Sequence, residues 1–244
     1  MKNAYGEFSR YYDMLGWDLF ARDSAVRLKS FFKLRGERPK TILDLACGTG
    51  ELEKSLRASG IIFTGVDSSP GMIRVAKSKV AGTKFLVGDA ATVKLEERFD
   101  MVLLLFDSAN HMPSLSHLVQ VFKNAYRHLY PDGYFIFDFL TGQGLEEWEQ
   151  INIRRTKKYT LFWYGHYYPE KMLADIFIEA FIKDTRPGKN LYNRVFQKIV
   201  EKTYPGSDII DGLMKSGFKR LMASPYNPDE KIEDASRIWF VCRR

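Results

Sequence analysis

The stretch Asp44-Leu45-Ala46-Cys47-Gly48-Thr49-Gly50 follows the apolar run Thr41-Ile42-Leu43 and precedes Glu51-Leu52-Glu53-Lys54-Ser55-Leu56, which has the apolar spacing of a helix. A strand, a glycine-bearing turn and a helix start therefore meet here. Glycine lets the backbone approach a ligand closely, and the first N–H groups of a helix have no partners, so the junction suits a polar ligand. Further polar groups end three more apolar runs: Asp67 after 61–66, Asp89 after 83–87, and Phe106-Asp107-Ser108-Ala109-Asn110-His111 after 99–105. Ligands of open α/β sheets bind outside the carboxyl ends of the strands, so four polar ends in consecutive order point to a crevice. An aspartate at a strand end is often only a turn former. Asp67 is harder to explain that way, because Ser69 followed by Pro70 is the better start for the next helix.

The ligand is narrowed by what the turn lacks. Gly48 and Gly50 supply two glycines of a dinucleotide fingerprint, and an acidic residue about 20 positions on could bind a ribose. Glu53, however, stands where the third glycine belongs, and a carboxylate there would repel a pyrophosphate. No Gly-Lys-Ser/Thr follows, so a Walker loop fails as well. What remains is a nucleoside without phosphates, preferably carrying positive charge.

The elements that must position these groups alternate. Strand-like runs at 41–43, 61–66, 83–87, 99–105 and 134–139 are separated by helical patterns at 51–56, 69–79 and 115–129, and a helix over 19–32 precedes the first strand. This is the rhythm of a parallel sheet covered on both faces. Pro131-Asp132-Gly133 reads as the turn that launches the fifth strand. The rhythm changes after residue 150. Four β-rich runs (151–159, 161–168, 172–183, 192–204) are broken by turns at 169–171 and 186–190, as in antiparallel hairpins. A helix start at 205–207, a stop at Gly217 and two short strands at 218–223 and 237–241 complete the chain.

With these residues in place, the chain resembles the class I S-adenosylmethionine-dependent methyltransferases. The likeness is carried by Asp44 to Gly50, by Gly65-Val66-Asp67-Ser68-Ser69-Pro70-Gly71-Met72, by Gly88-Asp89-Ala90 and by Phe99-Asp100-Met101-Val102; Tyr130-Pro131-Asp132-Gly133-Tyr134 is similar to the family's Leu-x-Pro-Gly-Gly turn, with Asp132 for a glycine. The resemblance implies an α/β fold, a seven-stranded Rossmann-like sheet with its last strand antiparallel, here with an inserted antiparallel β-sheet. It also implies S-adenosylmethionine as cofactor. It places the methionine moiety against Asp44, Ala46, Gly48 and Gly50, the ribose hydroxyls on Asp67, and the adenine beside Asp89, Ala90, Ser68 and Met72. Tyr5, Tyr11 and Tyr12 resemble the lid of a small-molecule subgroup, and Phe106 joins Tyr5 and Tyr12 at the cofactor. Methyl transfer is an in-line displacement that depends mainly on orientation, with a base needed only if the acceptor must lose a proton. Asp107 and His111 are the candidate bases; His111 could equally cap the helix at Ser114. His166, amid Trp163, Tyr164, Tyr167 and Tyr168, reads as packing, though with Trp148 that cluster could line an acceptor pocket or a subunit interface.

The expected organisation is a cofactor-binding core of residues 1–149 plus 205–244, with an N-terminal aromatic lid, and an inserted acceptor-covering subdomain of residues 150–204. The expected partner is a small-molecule acceptor, methylated at nitrogen or oxygen. Of 244 residues, 37 are basic and 30 acidic, giving a net charge of +7. That charge is spread along the chain, which favours a generic basic surface over a nucleic-acid groove. The run Arg154-Arg155-Thr156-Lys157-Lys158 keeps an RNA methyltransferase as an alternative, and the lack of a decisive base keeps a non-catalytic cofactor-binding regulator. Two cysteines without paired spacing suggest a reducing compartment and no metal site. No run approaches the roughly 20 apolar residues of a membrane span, so a cytoplasmic protein is expected. The edges of the inserted sheet invite pairing between subunits.

Overall fold

The computed structural model describes residues 5–36, 38–184, 186 and 191–244. Strands β1 (Thr41–Leu45), β2 (Ile62–Asp67), β3 (Lys84–Val87), β4 (Phe99–Leu104) and β5 (Leu129–Leu140) alternate with helices α1 (Leu19–Arg35), α2 (Glu51–Leu56), α3 (Pro70–Lys79) and α4 (Leu115–His128). A short α5 (Gly142–Glu146) leads to β6 (Asn152–Arg155), β7 (Tyr159–Tyr168), β8 (Leu173–Lys183) and β9 (Tyr192–Lys202), then come α6 (Gly206–Lys215), β10 (Arg220–Pro225) and β11 (Arg237–Arg243). The first sheet has the order β10-β11-β5-β4-β1-β2-β3. Strands β1 to β5 pair in parallel, whereas β11 runs antiparallel to both β5 and β10. The expected closing hairpin is therefore present.

Successive side chains of a strand point to opposite faces, and the core divides accordingly. Leu43, Leu45, Val102, Leu104, Phe135, Phe137 and Phe240 face α4 and α6. Their neighbours Ile42, Met101, Leu103, Ile136, Trp239 and Val241 face α1 and α2. Each large side chain fully buried here contributes about 1.5–3 kcal/mol of apolar transfer energy. Ser69 caps α3 as expected, accepting from the Met72 N–H at 3.4 Å, and Ser114 caps α4 through His117 N–H. His111 thus has no capping role.

The 131–133 turn differs from expectation. It lies inside β5, where four residues of β5 (130–133) bulge against one of β4 (100): the register moves from Phe99 opposite Leu129 to Met101 opposite Tyr134. Asp132 is left-handed (φ 65°). A Cβ on Gly133 would meet the Asp100 carbonyl oxygen at 2.9 Å, so the excursion depends on that glycine.

The second sheet, β6-β7-β8-β9, is antiparallel throughout. Its inner face (Leu161, Ile176, Ile178, Ala180, Val195) packs on Phe8 and Leu15 of the N-terminal arm and on Leu145 of α5. The turn expected at 186–190 lies, apart from Arg186, outside the described residues. Among the described residues no helix is long and apolar enough to cross a membrane.

Candidate functional site

The glycine turn is built from left-handed residues: Ala46 (φ 63°), Gly48 (φ 55°) and Gly50 (φ 74°). Only Ala46 carries a Cβ, and the conformation disfavours it by roughly 1–2 kcal/mol. The Asp67 carboxylate ties this turn to the end of β2, accepting from Gly48 N–H at 2.9 Å and Ser69 N–H at 2.8 Å. Burial pushes its pKa up, and these two bonds oppose the rise. Asp44 is 3% exposed, and its pKa is raised well above the carboxylate range by burial first, then by Glu53 and Asp67.

Glu53 is turned inward from the first turn of α2. It is 1% exposed, and burial raises its pKa to about 8 against the pull of its own backbone N–H and of Lys79. At neutral pH it is protonated in the free protein, so repulsion of a phosphate by its charge is not what distinguishes this turn. What distinguishes it is a carboxyl side chain where a dinucleotide site needs a glycine. Three acidic groups thus converge on one turn, and a Cβ on Gly48 would meet nothing within 4 Å, leaving that approach open. Carboxyls held in a dry site favour a ligand that brings positive charge to them. The donor set therefore fits S-adenosylmethionine, which carries an ammonium and a sulfonium.

The candidates for the adenine end are mixed. Met72 and Ala90 are buried, while Ser68 and Asp89 are exposed. Asp89 Oδ1 accepts from Ala91 N–H at 2.7 Å and lies 3.4 Å from His117 Nε2, so that oxygen is engaged by the loop and by α4.

At the end of β4 the backbone is again left-handed, now at two consecutive residues with side chains, Phe106 (φ 60°) and Asp107 (φ 47°). Asp138 of β5 holds the turn: its two oxygens accept from Phe106 N–H at 2.6 Å and Asp107 N–H at 2.9 Å. Arg237 of β11 pairs with Asp138 and lies 3.2 Å from Asp107 Oδ1. Asn110 is fully buried and bonds Leu140 and Lys202, which locks the loop to β5 and to the end of β9. His111 then faces Tyr5, whose hydroxyl is 3.4 Å from Nε2, and Glu201 Oε1 at 3.9 Å. Burial lowers the His111 pKa, which keeps the imidazole neutral, with Asp107 opposing.

Tyr5, Tyr12 and Phe106 form one aromatic group, with Tyr5 to Tyr12 ring centroids at 6.2 Å and Tyr12 to Phe106 at 6.5 Å. Burial, reinforced by Asp107 and other acidic neighbours, raises both tyrosine pKa values well above 10. Tyr11 packs beside them on the inserted sheet's cluster.

The structure also assembles residues that the sequence reading passed over. Asp138 and Arg237 come from strands read only as core. Glu201 lies at the end of β9, is 2% exposed, and its ligand atom, with those of Asp107 and His111, falls in a set within 4.8 Å of one another, a spacing that could hold a metal ion. Its signal in the sequence is phase: Glu201 is an even number of residues from buried Val195, which puts it on the inner face of the strand.

An open sheet with its last strand reversed, a left-handed glycine turn, and carboxyls in place of a phosphate loop suit a nucleoside ligand without phosphates. Residues 42–133 match the methyltransferase domain family, and the chain has the fold of the class I S-adenosylmethionine-dependent methyltransferases. A protein of Geobacillus sp. strain WCH70, provisionally named a methyltransferase, is 26% identical over 253 residues, 98% of this chain and 99% of that one. A dTDP-4-amino-2,3,4,6-tetradeoxy-D-glucose N,N-dimethyltransferase of Saccharopolyspora spinosa is 30% identical over 123 residues, covering 46% of this chain and 49% of that enzyme. The crystal structure of an S-adenosylmethionine-dependent methyltransferase from Clostridium acetobutylicum superposes with a TM-score of 0.83 over 99% of both chains at 22% identity, a likeness of fold.

Proposed function

We propose that this enzyme transfers the methyl group of S-adenosylmethionine to a nitrogen or oxygen of a small-molecule acceptor in the cytoplasm. The observation that carries the reading is the convergence of Asp44, Glu53 and Asp67 on an open glycine turn beside a second polar group at the end of β4. In this reading Asp44, Ala46, Gly48 and Gly50 hold the methionine part of the cofactor, Asp67 its ribose, and Asp89, Ala90, Ser68 and Met72 its adenine. The bound cofactor supplies a methyl group on a positively charged sulfur. Tyr5, Tyr12 and Phe106 close the crevice and exclude water. His111, kept neutral by burial, takes a proton from the acceptor at Nε2, and Asp107 orients the acceptor. Residues 150–204 cover the acceptor side, while 1–149 and 205–244 carry the cofactor.

Support for a small acceptor comes from the Saccharopolyspora relative, which acts on an amino sugar. Against RNA, Arg154 of the basic run is engaged: it donates to the Leu15 carbonyl at 3.0 Å and lies over the Trp163 ring. Two free, buried cysteines agree with a reducing compartment. Titration calorimetry with S-adenosylmethionine and S-adenosylhomocysteine tests the reading. Both should bind to the wild type, while Gly48→Val, which puts a side chain on the open approach, and Asp67→Ala should abolish binding. Failure of the wild type to bind either molecule would refute it.

A further inference from the structure

We propose that Glu201, delivered by the inserted sheet, is an acceptor-binding residue, and that it and Asp107 receive an amine arriving as its ammonium beside His111. The proposal rests on the methyltransferase reading and names the class of acceptor. It starts from an ionisable group with no evident structural use. Glu201 Oε2 is buried and has no hydrogen-bond partner, while Oε1 faces His111 Nε2 at 3.9 Å. A buried carboxyl oxygen without a partner is disfavoured by roughly 1–3 kcal/mol, so an oxygen left in that condition points to a missing ligand.

The groups around it restrict that ligand. Burial first, and then the Asp107 carboxyl on the loop after β4, raise the Glu201 pKa well above its usual range. His111 is on the same loop, Tyr5 on the N-terminal arm, Asp138 on β5 and Arg237 on β11. An alcohol has no charge to offer such a pair. A divalent metal would have to approach Asp107 where the Arg237 guanidinium already lies at 3.2 Å. An ammonium fits better: its single charge replaces the proton on the Glu201 carboxyl, and its three N–H donors match Oε2 and its neighbours.

The step then balances. On binding, the carboxyl O–H breaks and its proton leaves to solvent. An ammonium N–H next breaks toward His111 Nε2, freeing the nitrogen lone pair. The N–C bond forms as the C–S bond breaks, and that electron pair stays on the cofactor's sulfur. The product is again an ammonium.

Proton release is the readout. Full-length protein saturated with S-adenosylhomocysteine is titrated at neutral pH with ethylammonium, ethanol and Mg2+, in buffers that differ in ionisation enthalpy. Ethylammonium should bind saturably and release about one proton, and ethanol should not bind. Glu201→Gln should weaken ethylammonium by about tenfold or more and abolish the release, whereas Glu201→Asp should retain it. Thermal melts of both variants check that they fold. Equal binding of ethanol, undiminished binding to the Gln variant, or no ethylammonium binding to the loaded protein would overturn the proposal and leave the methyltransferase reading standing. Mg2+ binding that Glu201→Gln removes would overturn it in favour of a metal site. Absence of S-adenosylhomocysteine binding would remove the parent reading and this one with it.

Discussion

Glu53 shows how a single side chain can couple stability to cofactor binding. Its pKa is about 8 in the fold against about 4.5 in the unfolded chain. Between those values the folded state holds a proton that the unfolded state has released, so stability falls as pH rises through this window and is fully present only below it. The expected outcome is a melting temperature of the free protein that declines from pH 5 to pH 8, with a shallower decline in Glu53→Gln, measured by calorimetric scans. A decline of equal slope in the variant would assign the pH dependence to other groups. His111 has the opposite displacement. Burial lowers its pKa, so its imidazole C2 proton should titrate in NMR with a midpoint below the ordinary value of about 6.5. The resonance is assigned by its loss in His111→Gln. A midpoint above 6.5 would deny His111 the neutral form a base requires near neutrality.

At the scale of elements, the turn after β4 is strained locally and held from a distance. Two adjacent left-handed residues with side chains are disfavoured by about 1–2 kcal/mol each, so the turn persists because its surroundings determine it. The Asp138 side chain, 0% exposed, accepts both turn N–H groups and pairs with Arg237. In Asp138→Asn only one oxygen remains to accept, and Arg237 loses its buried counter-charge. Breaking such a buried pair destabilises by about 3–5 kcal/mol. The denaturant midpoint should drop accordingly. A midpoint within error of wild type would show that the turn holds itself.

This turn also marks the limit of what the sequence discloses. The strand ends Asp44, Asp67, Asp89 and Asp107 were legible because apolar runs stop there, and the strand–helix rhythm followed by turn-separated β-rich runs revealed both sheets. Asp138 was not legible: it is an acidic residue inside an apolar strand, and its use depends on which turn lies across from it in the sheet. The 131–133 excursion was read as a turn because local chemistry cannot tell a loop from a bulge that resumes the same strand. Glu201 meets His111 only after a reach of 90 residues, through hydrogen bonds between Asn110 and Lys202 that no local pattern encodes.

For the whole molecule, the N-terminal arm, the glycine turn and α3 are joined by one charge network across the cofactor crevice. Lys79 of α3 pairs with Asp13 of the arm and lies 3.2 Å from Glu51 of α2. Thr49 of the turn donates to Asp13 at 2.6 Å and accepts from Lys79 at 2.9 Å. The arm also touches α3 directly, since a Cβ on Gly71 would meet Ser9 Oγ at 2.6 Å and the Gly6 carbonyl oxygen at 2.8 Å. If the arm is the lid, loosening either contact should free it by independent routes: Lys79→Met removes the ion pair, and Gly71→Ala presses the arm away without altering a charge. Both variants should be cut faster by trypsin after the exposed Arg10, and both should release S-adenosylhomocysteine faster in stopped-flow measurements. Saturating S-adenosylhomocysteine should slow the cleavage of the wild type, because a ligand that binds only the closed form stabilises it by mass action. Faster cleavage with unchanged release would make the arm a structural anchor, since a lid and its ligand must hold each other in place to the same degree.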